Sequence, residues 1–154
     1  MQAQIDRQCV IKANAQFWEQ MLAMTLAPVP HEAPFLASAG HLLGTVLLSG
    51  VWNGSIEVRM GQGLARLATA AMLMQPVESV TDADVLDATR EIANMIAGSI
   101  KSSLPRPCAM SLPESAAQVT EFQAQTHSED ALAVVFHHTM GDLMVQIWEM
   151  ACPQ

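Results

Sequence analysis

Apolar and polar positions along this chain change period several times, and each change marks an element. From Asn14, an acceptable N-cap, the residues Phe17, Met21 and Met24 recur at helical spacing. This predicts a first helix that stops before Pro28, since a proline restricts the backbone ahead of it. Pro28, Pro30 and Pro34 then mark an irregular connection rather than a linker between domains. His41 to Trp52 is rich in strand formers, and Ser55-Ile56-Glu57-Val58-Arg59-Met60 alternates polar with apolar. Asn53-Gly54 lies between them, and both residue types tolerate positive φ, so the pair predicts a tight hairpin. Gly61 and Gly63 lead into a second helix with Leu64, Leu67, Ala68, Ala71 and Met72 on one face, closed by Pro76.

The next helix is the best-marked element. Thr81 and Asp84 form a capping-box pattern with Asp in place of the usual Glu or Gln. Asp82 and Asp84 also suit the positive end of the helix dipole. Apolar periodicity runs to Leu104, and Pro105 and Pro107 end it. Strand-like pieces follow around Cys108 to Leu112 and Gln118 to Gln123. A last hairpin pairs Leu132 to His138 with Leu143 to Glu149 across Thr139-Met140-Gly141-Asp142. No low-complexity tract or short-period repeat interrupts this order. Helix, hairpin, two helices and strands predict an α+β fold, an antiparallel β-sheet packed against a layer of helices. The 154 residues fit a single domain, 1–154, with enough chain to bury a core.

Composition narrows the partners. The net charge is −8 with only 7 Lys and Arg, which argues against nucleic acid and against an anionic membrane surface. The longest apolar run, Leu42 to Trp52, is broken by Gly44, Ser49 and Gly50 and is too short to span a bilayer. The N-terminus lacks the basic-then-apolar layout of a signal segment. Cys9, Cys108 and Cys152 have no CxxC spacing, which reads as free thiols in a reducing compartment, so a cytoplasmic location is expected. The 11 methionines serve as adaptable core filler.

Several candidate chemistries fail on spacing. His137 and His138 are adjacent on a strand and face opposite sides, so they cannot share a metal. His31, His41 and His127 have no ligand-like spacing. Gly61-Gln62-Gly63 lacks the third glycine and the Gly-Lys-Ser/Thr ending of a phosphate loop. No Ser sits in a Gly-x-Ser-x-Gly elbow, and Cys108 carries no sign of activation. None of these patterns points to a metal site, a phosphate loop or an activated nucleophile.

The long helix sorts into two faces when residues are placed about 100° apart. Val85, Thr89, Ile92, Ile96, Ile100 and Ser103 fall on one side; Asp84, Asp87, Glu91, Asn94, Gly98 and Lys101 fall on the other. Glu91 and Asn94, three residues apart, are neighbours that point the same way. A solvated face is the ordinary explanation of such a strip. Asn and Gly are nevertheless poor choices for it, since Gly alone costs about 1 kcal/mol against Ala in a helix interior. Their presence points to close approach by something else.

The run Asp87-Ala88-Thr89-Arg90-Glu91-Ile92-Ala93-Asn94-Met95-Ile96-Ala97-Gly98 resembles the active helix of the CheX, CheC and FliY phosphatases. That family's pattern is Asp or Ser, three residues, Glu, two residues, Asn, then a small-residue turn and Gly. Leu48-Ser49-Gly50-Val51-Trp52-Asn53-Gly54-Ser55-Ile56 is similar to its glycine-punctuated hairpin, and Ser111-Leu112-Pro113-Glu114 to its Pro-containing strand. The likeness covers about Leu42 to Glu114 and shows one Glu-x-x-Asn copy, as in the CheX-like arrangement. It implies a CheC/CheX-like fold and a phosphatase acting on the aspartyl phosphate of a CheY-like response regulator in chemotaxis or two-component signalling. Asn94 would orient the attacking water and Glu91 would reach a lysine of the receiver, with Asp87, Gly98 and Lys101 as further partner-binding positions. Mg²⁺ would be held by the receiver, so the chain would need no metal or cofactor of its own, and a homodimer joined through sheet edges would be expected. The same residues also fit a non-catalytic module that binds a receiver or another signalling protein, or a sensor with a small-ligand pocket between helices and sheet.

Overall fold

The computed structural model describes residues 5–30, 35–37, 40–105, 107–120, 122–124, 127–128 and 131–150. The first helix, α1, spans Arg7–Ala15 and begins earlier than the pattern predicts. Asp6 is its cap, accepting from the Cys9 amide at 2.8 Å. Asn14, expected as the cap, is buried: it donates to the Val10 carbonyl and accepts from the Trp18 indole N–H. The helix widens into a π-turn over Gln16–Met21, and the successive aromatics Phe17 and Trp18 are both buried there, edge to face.

Two short strands come next, β1 (Ala27–Pro28) and β2 (Phe35–Ala37). Pro28 thus lies in an edge strand, where its missing N–H costs no ladder bond. Pro34 and His31 lie outside the described residues. The predicted hairpin is present as β3 (His41–Gly50) and β4 (Gly54–Met60). Its turn is longer than two residues: Leu48 pairs with Gly54, and the Asn53 amide both accepts from and donates to the Gly50 backbone. Gly54 is required by crowding and not by positive φ, since a Cβ there would meet the Trp52 ring at 2.2 Å.

α2 (Gln62–Leu73) buries Leu64, Ala65, Ala68 and Thr69 and leaves Ala71 exposed, so its inner face is rotated from the expected one. Met74 ends it in the left-handed conformation. α3 (Asp82–Lys101) carries the full capping box, with Thr81 and Asp84 exchanging hydrogen bonds at 3.0 and 3.1 Å.

The remaining strands are β5 (Cys108–Met110), β6 (Glu114–Gln118), β7 (Phe122–Ala124), β8 (His127–Ser128), β9 (Ala131–His137) and β10 (Leu143–Glu149). The single strand expected over Gln118–Gln123 is instead the end of β6 and the start of β7, which belong to different sheets. Eight strands form the antiparallel main sheet in the order β1-β9-β10-β4-β3-β5, with β6 also on β3 and β8 on β9; β2 and β7 form a separate ribbon. The long edge of β3 is thus shared by β5 and β6. Ser111 fills the gap between them: its hydroxyl accepts from the Leu47 amide and its amide donates to the Leu47 carbonyl.

The three helices cover one face of the sheet. Val46, Ile56, Val58, Val134 and Val145 point into that layer and are completely buried, meeting Ile92, Ile96 and Ile100 of α3 in one cluster. On the other face Phe35 packs over Ala133, Val135 and Met144. His41 is buried on that face as well, with its Nε2 2.8 Å from Arg59 Nη1, and burial holds the Arg59 pKa below its ordinary value.

Candidate active site

α3 is placed by the backbone it lies on. Gly44 of β3 faces the helix so closely that a Cβ there would lie 2.8 Å from Ala93 Cβ and 3.0 Å from the Thr89 carbonyl oxygen. Only glycine permits this approach. The inner side of the helix is satisfied internally: Thr89 is fully buried and its hydroxyl donates to the Val85 carbonyl at 2.7 Å.

Each end of the helix is tied to a different neighbour. At the N-terminal end Arg66 of α2 pairs with Asp82 and donates to the Val80 carbonyl. At the C-terminal end Ser99 donates to Gln16, and Cys9 Sγ lies 3.1 Å from Ser103 Oγ. In the middle Arg90 donates to the Ser115 hydroxyl of β6 at 3.0 Å, and that hydroxyl donates to the Leu86 carbonyl at 2.8 Å. A helix held at both ends and at its centre is a rigid platform.

The predicted strip is on the outward side of this platform. Asp87 and Glu91 are exposed; Asn94, Gly98 and Lys101 are half-buried. Among the described residues the side chains of Glu91, Asn94 and Lys101 make no hydrogen bond or ion pair. A carboxylate and an amide therefore stand one helical turn apart with their polar atoms open to a partner. Asp87 differs, because it is engaged by Arg90 in an (i, i+3) ion pair. That pair is largely exposed, with side chains 39% and 70% accessible, so it contributes roughly 0–1 kcal/mol to stability. Gly98 has open space above it, with no atom of the described residues within 4 Å of an added Cβ. It forms, with Lys101, Leu104, Pro105, Pro107 and Cys108, an open cleft that continues the strip toward β5.

Arg90, Ser115 and Gly44 are the supporting residues that pattern reading passed over. The Asp87 to Arg90 spacing of three was a usable signal; the contacts of Ser115 and Gly44 depend on strand order and were not. Among the described residues no three His, Cys, Asp or Glu side chains gather as metal ligands. Cys9 and Cys108 are free thiols, and Cys152 lies outside the described residues. His137 binds Asp142 at 2.8 Å and His138 accepts from the Met140 amide, so the two histidines do diverge. No helix among the described residues is long and apolar enough to cross a membrane.

The fold is shared with several solved proteins. The chemotaxis protein CheX from Vibrio vulnificus superposes with a TM-score of 0.74 at 19% identity, over 94% of this chain and 95% of that one. A CheC-like superfamily protein from Shewanella sp. PV-4 gives 0.75 at 19%, over 96% and 100%. CheX in the CheX–CheY–BeF3–Mg²⁺ complex from Borrelia burgdorferi gives 0.70 at 18%, over 96% and 100%. None of the curated protein sequences matches the chain. Residues 42–137, from the start of the hairpin to the end of β9 and including all of α3, match the family described as chemotaxis phosphatase CheX. With the antiparallel sheet, its helical layer and the Glu-x-x-Asn helix all in place, this chain belongs to the CheX family.

Proposed function

We propose that this protein dephosphorylates the aspartyl phosphate of a CheY-like response regulator, with Asn94 and Glu91 as the working residues. One observation carries the reading: Glu91 and Asn94 stand together on the outward side of a fixed helix with their polar atoms uncommitted. The Borrelia CheX complex, which pairs this fold with CheY, BeF3 and Mg²⁺, supports the choice of partner.

An acyl phosphate hydrolyses readily once a water is held in line with phosphorus, so positioning supplies most of what is needed. The Asn94 amide accepts one water O–H through Oδ1 and donates to the water oxygen through Nδ2 in turn, a combination a carboxylate lacks. The water oxygen bonds to phosphorus as the bond to the aspartyl oxygen breaks. The receiver carboxylate is released, and the water's protons leave with inorganic phosphate. Glu91 has the wrong charge to stabilise the phosphoryl oxygens; its role is to dock against a lysine of the receiver. Mg²⁺ belongs to the receiver in this reading. Gly98 and Lys101 extend the docking surface along the cleft. We place the protein in the cytoplasm and as a homodimer joined at sheet edges.

Phosphate release from a phosphorylated receiver tests this. Asn94→Ala is expected to fold and bind yet to lose about a hundredfold in acceleration. Equal rates for the variant and the wild type would leave a non-catalytic receiver-binding module. Glu91→Ala is expected to weaken receiver affinity by about tenfold, the scale of one charged hydrogen bond. An unchanged dissociation constant would remove its docking role.

A further inference from the structure

The outward strip of α3 carries three carboxylates, Asp84, Asp87 and Glu91, but the fold leaves one of them open. Asp84 Oδ2 accepts from the Thr81 amide at 3.0 Å within the capping box. Asp87 is held by Arg90 Nη2. Arg90 cannot drift from this duty, because its other nitrogen donates to Ser115 of β6, whose own hydroxyl is fixed on the Leu86 carbonyl. Ser115 pairs opposite Gly44, where sheet and helix are in close contact, so the anchor is tied to a constrained part of the platform. Glu91 alone has no intrachain partner among the described residues.

We propose that Arg90 is a positioning residue that sets the docking register, by occupying Asp87 so that a partner's cation can meet only Glu91. This inference rests on the phosphatase reading above. Asp87 precedes Glu91 by four residues, about 6 Å along the helix axis. A cation bound at Asp87 would draw the partner about one turn toward the helix N-terminus. Asn94 would then miss the phosphorus by several times the roughly 1 Å displacement that already slows such chemistry about a hundredfold. A partner held in that register is bound but unproductive, so the defect appears in turnover and not in affinity.

The test compares Arg90→Gln, Asp87→Ala and the double variant with wild type, measuring receiver affinity and single-turnover phosphate release separately. Arg90→Gln keeps a group able to bond Ser115 but cannot neutralise Asp87. Its kcat is expected to fall about twofold to tenfold, twofold when the two registers have equal energy, with affinity unchanged or tighter. Adding Asp87→Ala to Arg90→Gln is expected to bring kcat back to the level of Asp87→Ala alone. Arg90→Gln with wild-type kcat, or a loss that Asp87→Ala does not restore, overturns the inference and leaves the phosphatase reading standing. A wild-type protein that fails to accelerate phosphate release takes down both. Thermal melts of all four proteins separate a register defect from a loosened helix, and a fallen melting temperature with unrescued kcat counts against the proposal.

Discussion

The two sides of α3 use their polar groups in opposite ways. On the inner side the Thr89 hydroxyl turns back onto its own helix, and Ile92, Ile96 and Ile100 are completely buried. Folding alone accounts for every residue there. On the outer side Glu91 and Asn94 bind nothing among the described residues, and Gly98 faces open space. Folding does not account for these: Asn and Gly are both worse helix formers than Ala, and no hydrogen bond among the described residues offsets them. Residues that weaken a helix without serving its packing are the signature of a surface made for another molecule.

Substitutions on the two sides should therefore separate stability from activity. Ile96→Ala has the largest expected effect, a loss of about 2–5 kcal/mol in denaturant unfolding, because a fully buried side chain leaves a cavity. A loss below about 1 kcal/mol would break the assignment of the inner side. Gly98→Ala should raise stability by about 1 kcal/mol, since the new methyl meets no atom of the described residues, while receiver binding weakens. A lower melting temperature, or unchanged binding, would undo the claim that a partner passes close over this position. The smallest effect sharpens the contrast most. Asn94→Ala should stabilise the fold by about 0.5 kcal/mol while removing most of the phosphatase activity. A variant that is both less stable and less active would put Asn94 among the structural residues.

Much of this contrast is legible in the sequence. The period of 3.6 in 81–101 is strong enough to place Glu91 and Asn94 outside and the isoleucines inside, and the Thr81-Asp84 pair marks the helix start to the residue. The two hairpins follow from alternation. The failures differ in cause. Asn14 looks like a cap because Asn often is one, but Asp6 is better placed and Asn14 serves the Trp18 indole instead. Asn53-Gly54 carries the composition of a two-residue turn, but the Trp52 ring claims the space beside Gly54 and lengthens the loop. Val119 and Thr120 have strand-forming side chains, and yet the chain leaves β6 at Gln118 to join another sheet. At Asn14 and Gly54 the overriding neighbour is itself local, Trp18 and Trp52; at Val119 and Thr120 a pairing distant in sequence overrides the local preference. The Arg90–Ser115 bridge is of the same kind, joining residues 25 apart.

The contact at Gly44 has a further consequence. Helix and strand meet there through the Ala93 methyl, the Thr89 carbonyl and the Thr89 Cγ2, and the Thr89 rotamer is held by its hydroxyl's bond to Val85. The height of the Glu-x-x-Asn pair above the sheet is thereby insulated from which aliphatic residues fill the surrounding core. Conservative exchanges such as Ile92→Val could accumulate over evolutionary time, trading away stability in small steps, while the outward surface of the helix stays at one elevation. Position 44 itself tolerates no such drift, for any side chain there would lift the whole working edge of the helix away from its bed.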